Sequence, residues 1–216
     1  MKRLFALMLL FTFAINIWTF DVIVNAIACD LSNGDMVADV TEKYCDYGTD
    51  KNIPSSVKNI GKDAVIFGNC GVNGDNVKWI YYADSEKLVL DGEGEMMNYS
   101  YRECPWSSFT ESIKSIEIHS GVTSLGDYSF SDCWNLKSIN IPNTVTRIGR
   151  QALSGTDIES VNIPNSVLSI ESGAFYMSSL TTMSIGNSVK NIGDGAFQFC
   201  VKLTSVNLPN SLVEIG

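Results

Sequence analysis

The sequence holds a single histidine, His119, among 216 residues. That scarcity removes most histidine metal sites and most Ser-His or Cys-His nucleophiles, which need an imidazole as ligand or base. Six cysteines are present, but no two stand in a C-x-x-C pair, so zinc and thioredoxin spacings are missing. Charged residues make up only 18%, with 15 Lys plus Arg against 24 Asp plus Glu. At a net charge of −9 and without a basic run, the chain lacks the positive surface that nucleic acid or an anionic membrane requires. Asp30, Asp35, Asp91, Glu93 and Glu95 are scattered carboxylates outside any EF-hand or Gly-Asp nonapeptide pattern. No metal and no cofactor is implied. Composition argues against the common enzyme classes, and His119 reads as a solvated turn residue.

What the chain does have is apolar matter. It is 45% hydrophobic, enough for a core, which excludes global disorder. Much of the first 28 residues reads as an export signal. Lys2 and Arg3 give a positive start, Leu4 to Phe20 is an almost wholly apolar run, and Ala26-Ile27-Ala28 offers small residues for cleavage. Retention as an N-terminal anchor and lipidation at Cys29 are the alternatives. Removing 1–28 takes away two positive charges and one negative, so −9 becomes −10. No membrane span remains in the mature chain, and an exported chain can oxidise its cysteines.

Self-similarity governs the second half. One string restarts at Ile113, Leu136, Ile158, Leu180 and Leu203, at spacings of 22 or 23 residues. A fixed period of this length marks a solenoid whose coils stack only on their neighbours. In the second unit the recurring apolar positions are Leu136, Ile139, Ile141, Val145, Ile148, Ala152 and Leu153. The opening L-x-x-I-x-I ends in period-two alternation and reads as a short strand. Pro142-Asn143, Pro164-Asn165 and Pro209-Asn210 turn the chain after it. A V-x-x-I-G stretch then returns along the layer, with Gly126, Gly149, Gly193 and Gly216 permitting tight backbone. Ala174-Phe175 and Ala196-Phe197 plug the interior.

These units resemble the BspA-type, or Treponema pallidum-type, leucine-rich repeats, with the pattern L-x-x-I-x-I-P-x-x-V-x-x-I-G-x-x-A-F-x-x-C-x-x-L. The resemblance covers 113–216. It departs at Gly186 and His119, which replace the turn proline, at Glu171, which replaces glycine, and in the second and third units, which lack the cysteine. It extends upstream through C-G-x-N-G-D-N-V-x-W and Pro105-Trp106, a segment that often precedes such arrays. The implied fold is mainly β: a leucine-rich-repeat solenoid with a small N-terminal β cap. The expected division is 1–28 signal peptide, 29–69 a poorly defined segment, 70–112 the cap and 113–216 the repeats. Within the cap, Val77 to Tyr81 and Leu88 to Leu90 read as strands. Residues 53–61 mimic a repeat core. The array stops mid-repeat at Gly216, so the sequence reads as a fragment of a longer protein.

Cys133 and Cys200 share one repeat position three coils apart. At ~4.8 Å per layer they lie about 14 Å from each other, too far for a disulfide, and read as core residues. Of the rest, Cys70 with Cys104 is the preferred bond, leaving Cys29 with Cys45. The aromatic residues between Trp79 and Phe109 read as cap core.

The candidate functional surface is a face. In L-x-x-I-x-I the intervening residues point outward and form ladders: Ser115, Ser138, Ser160, Thr182 and Ser205, and beside them Glu117, Asn140, Asn162, Ser184 and Asn207. Solvation alone accounts for such ladders; so does a polar platform for a ligand. The resemblance implies a secreted or cell-surface, non-enzymatic adhesion scaffold whose partner is a protein of a host or neighbouring cell, or a glycan. The alternative is a carbohydrate-binding or spacer module of a longer secreted protein, with any catalytic domain beyond Gly216.

Overall fold

The computed structural model describes residues 44–46 and 65–216. The signal segment 1–28, Cys29 and the repeat-like stretch 53–61 lie outside the described residues.

In the array, alternation along the L-x-x-I-x-I runs sets the strand faces. In the third unit, Ser160 and Asn162 are exposed while Val161 and Ile163 are buried. These runs form β5 (Ser115–Ile118), β7 (Ser138–Ile139), β9 (Ser160–Ile163) and β11 (Thr182–Ile185). The V-x-x-I stretches form two-residue strands on the other side: β6 (Ser124–Leu125), β8 (Arg147–Ile148), β10 (Ser169–Ile170), β12 (Asn191–Ile192) and β13 (Glu214–Ile215). This second set pairs in parallel, in the order β6-β8-β10-β12-β13. The chain is a mainly β solenoid of stacked coils. Its core is one apolar cluster that runs from Ile66 in the cap to Cys200 in the last full coil.

The N-terminal strands are β1 (Tyr44–Asp46), β2 (Val65–Gly71), β3 (Gly74–Tyr82) and β4 (Lys87–Gly92). β2, β3 and β4 pair antiparallel, and β4 then pairs in parallel with β5 from Lys87↔Ser115 to Leu90↔Ile118. The cap therefore satisfies the backbone of the first repeat strand, which would otherwise be an open edge. Its inner side buries Trp79 and Tyr81 against Trp106 and Phe109. The Trp79 and Trp106 rings meet edge to face at 5.8 Å, and Tyr81 and Phe109 lie 4.8 Å apart.

A column of plugs fills the solenoid: Trp106, Phe130, Leu153, Phe175 and Phe197. All but Phe197 are fully buried. Trp106 stacks on Phe130 at 5.5 Å and Phe175 on Phe197 at 5.6 Å. Backbone bonds tie the same corner. The N–H groups of Phe130, Leu153 and Phe175 donate to Ala152, Ala174 and Ala196 of the next coil, each at 2.8 Å. Residues two before and two after the plug also donate forward, as in Gln151 to Ser172 at 3.0 Å and Gly155 to Tyr176 at 2.8 Å. Those flanking positions lie in the left-handed region in every full coil: Tyr128, Gln151, Gly173 and Gly195 before the plug, and Asp132, Gly155, Met177 and Phe199 after it. Alternating handedness turns every second N–H along the stacking axis.

The glycines that follow the isoleucines have a different cause from the conformational freedom inferred above. None of Gly126, Gly149, Gly193 or Gly216 has positive φ. Each lies too close to the neighbouring coil for a side chain: a Cβ at Gly149 would come within 2.7 Å of the Gly126 carbonyl carbon.

Two outcomes follow. Phe175→Ala should lower stability by about 3–5 kcal/mol, the usual cost of emptying an aromatic core site. A urea midpoint within 1 kcal/mol of wild type, by the midpoint shift, would contradict the plug assignment. Gln151→Gly should raise stability by about 1 kcal/mol by relieving left-handed strain, read in the same experiment. An unchanged midpoint would count against that strain.

Candidate functional site

The outward ladders are positioned by strand pairing. Ser115 faces Ser138 across β5 and β7, and Ser160 and Asn162 face Thr182 and Ser184 across β9 and β11. Ser138, Asn140, Ser160, Asn162, Thr182, Ser184, Ser205 and Asn207 are exposed, whereas Ser115 and Glu117 are half-buried beneath the cap. The face is not one sheet. β7 joins the cap strands and β9 joins β11, and no strand pairing connects β7 to β9 among the described residues. Ile139 and Ile141, read from sequence as core, flank that gap and are only partly buried. Ser205 and Asn207 belong to no strand.

The chemistry changes along the face. Its N-terminal end is ionic: Lys87 Nζ lies 2.9 Å from Glu117, whose other oxygen is 3.4 Å from His119 Nε2. His119 Nδ1 is 3.1 Å from Asp91. The hydrogen bond from Lys87 holds the Glu117 carboxyl below its ordinary range. Lys114 pairs with Glu86 at 2.5 Å, and Lys137 with Asp157. Lys137 in turn holds the Asp157 carboxyl below the usual range. Beyond that, the surface is hydroxyl and amide, with Ser184 donating to Asn162 Oδ1.

Asn140 has a separate task. Its Oδ1 accepts from Ile118 N–H at 2.8 Å, and its Nδ2 donates to Ile118 carbonyl at 2.9 Å. The amide substitutes for a backbone rung where β7 ends. Sequence reasoning also missed the opposite side. There Arg147 bonds Asp127 at 2.5 Å and Asn98 at 3.2 Å, and approaches Glu171 at 3.5 Å. Its signal is a lone arginine in the column Ser124, Arg147, Ser169, Asn191, Glu214.

Cys70 and Cys104 are both buried, with free thiols in this structure. Burial pushes both thiols up, Cys104 to about 12. Cys45 sits in β1, and Cys29 lies outside the described residues. Cys133 and Cys200 are buried and free; Cys200 Sγ donates to the Phe175 carbonyl at 3.0 Å. Among the described residues no group of three or more potential metal ligands converges, and no helix is long and apolar enough to cross a membrane.

Asn140→Ala should cost about 1–2 kcal/mol, because Ile118 loses both partners. Asn207→Ala should stay within 0.5 kcal/mol, as an ordinary surface change. Equal urea midpoints for the two variants would refute the rung assignment.

Comparison with known proteins places this geometry. The BspA type leucine rich repeat region matches residues 106–216 in six copies. The match starts at Trp106, upstream of the first period read from sequence, where the plug column also starts. A leucine-rich repeat protein from Eubacterium ventriosum is 24% identical, with a TM-score of 0.56, covering 68% of this chain and 45% of that one. A leucine-rich repeat protein from Bacteroides ovatus is 22% identical (TM-score 0.40), covering 65% and 48%. The T. pallidum leucine rich repeat protein is 21% identical (TM-score 0.41), covering 64% and 82%. The chain thus spans less than half the length of the first two. No curated protein matches it. The matched repeats take up more than half of the 216 residues, and the chain belongs to the BspA type leucine rich repeat family.

Proposed function

We propose that the chain is an exported, non-enzymatic recognition scaffold that presents the strand face of its repeats to a protein on a host or neighbouring cell. Export leaves it secreted or held at the cell surface, with Cys29 available for a lipid anchor. The observation that carries this reading is the in-register exposure of Ser160, Asn162, Thr182 and Ser184 over a buried Val161 and Ile163. Stacked repeats present their outward residues as a repeated, extended surface suited to macromolecules rather than to a small substrate. Membership of a repeat family whose fold serves protein interaction supports it. The acidic balance of the chain, −9 overall, favours a neutral or basic partner surface. Asn140 belongs to the scaffold; the contact residues lie from Ser160 onward.

Replacing Asn162, Thr182 and Asn207 together by Lys should reduce capture of the chain by an immobilised panel of extracellular-matrix proteins at least tenfold. The melting temperature should move by no more than a few degrees, since all three are exposed. Undiminished capture by the triple variant would exclude this face as the contact surface.

A further inference from the structure

We propose that the cleft between the cap and the first repeat coil binds one neutral sugar unit of a glycan, with Trp134 as its stacking platform. The cleft measures about 390 Å³, within the small-ligand range, and uses none of the ladder residues of the strand face.

Four observations converge there. Trp79 and Trp106 are buried at 1% and 0% exposure, but Trp134, on the cleft wall, is 47% exposed. Its six-membered ring lies over Gly155, where an added Cβ would sit 3.3 Å from Cζ3 and Cη2. The ring thus packs beside Gly155 while much of it stays in solvent. A platform of this kind suits the apolar face of a pyranose.

Second, the polar wall is built from residues with unused capacity. Tyr101 Oη donates to Asp132 Oδ2 at 2.5 Å, and Arg102 Nε and Nη2 approach the same oxygen at 3.4 and 3.3 Å. Among the described residues all three bonds fall on Oδ2, and none on Oδ1. An Asp–Arg pair with an open acceptor and further guanidinium donors matches two adjacent hydroxyls, one donating and one accepting. Third, Arg102 has φ 62°. Asp132 shares its left-handed backbone with the residue at that position in every full coil, so stacking accounts for it. Arg102 belongs to no such column; it takes this backbone in the turn that Glu103 N–H closes on the Ser100 carbonyl at 3.0 Å, which sets its side chain on the cleft wall. Fourth, Ser108 Oγ, in the lining, is buried without a hydrogen-bond partner among the described residues. Rotation of the Ser108 side chain toward the cleft would give this oxygen a ligand hydroxyl as partner and remove that cost.

Charge selects the ligand class. Arg102 is matched by Asp132, and Glu111 leaves the lining net negative. An acidic sugar or a phosphate is repelled, while a neutral, hydroxyl-rich ring meets aromatic, donor and acceptor together.

The test is saturation-transfer NMR with calorimetric titration on the full chain, using methyl glycosides of glucose, galactose, mannose and N-acetylglucosamine, with N-acetylneuraminic acid as the anionic arm. At least one neutral glycoside should bind, and more tightly than the acid. Trp134→Ala and Asp132→Asn should each weaken that binding at least tenfold, and Ser108→Ala severalfold. Asn162→Lys should leave it unchanged, which separates this cleft from the strand face. Because Asp132→Asn keeps the side-chain shape, it stands in if Trp134→Ala alters the melting curve. Binding by none of the neutral glycosides, wild-type affinity in either of the first two variants, or equal binding of the acid would each overturn the proposal.

Discussion

The N–H of each of the three middle plug residues points at the carbonyl of the coil that follows. Phe130, Leu153 and Phe175 all donate forward at 2.8 Å, and the side chains they carry fill a single column. Both halves of this arrangement need a neighbour. A lone coil would leave its carbonyls unpaired and one side of its plug in water, each a cost that stacking removes. The rest of the molecule is arranged around that requirement. The cap lends β4 to the first strand and Trp106 to the first plug. The turn residues adopt left-handed backbone where the hydrogen-bond axis demands it, and glycine appears where coils approach most closely.

Stacking also decides which polar residues are available for contact. A side chain that reaches the backbone of the preceding coil is part of the scaffold, whatever its exposure. Asn140 does so at Ile118, Thr144 at Val122, Ser166 at Val145 and Ser211 at Val189. Exposure of a polar ladder is therefore a weaker guide to contact than exposure without a side-chain bond to a neighbouring coil's backbone. On that criterion the face narrows toward its C-terminal part. The ionic group of Lys87, Glu117, His119 and Asp91 binds the cap to the first repeat instead of forming a free patch.

The period, the family and the fold were readable because the repeated apolar positions are strict. Five starts agree within one residue, and Ile163, Val167, Ile170, Ala174 and Phe175 are buried as their spacing implies. Less could be read where one residue type serves two geometries. Gln151 and Tyr128 hold left-handed positions that Gly173 and Gly195 fill in later coils, and nothing in their chemistry announces it. Trp106 looked like cap core and is also the first plug. The ladder looked continuous, yet β7 and β9 are not paired. Trp134 resembled any other aromatic until its neighbours placed it on a cleft.

The one-dimensional pattern determined that residues 22 or 23 apart would share a layer, because alternation and periodic apolar side chains leave few ways to bury them together. It also settled the class of the molecule and the direction in which its polar residues face. Only the tertiary structure decided which of those residues are spent on the neighbouring coil, where the strand side opens, and which side chains from distant segments meet at Arg102, Asp132 and Trp134. Those outcomes depend on hydrogen-bond direction and contact between separate coils, and neither is written in the local sequence of any one of them.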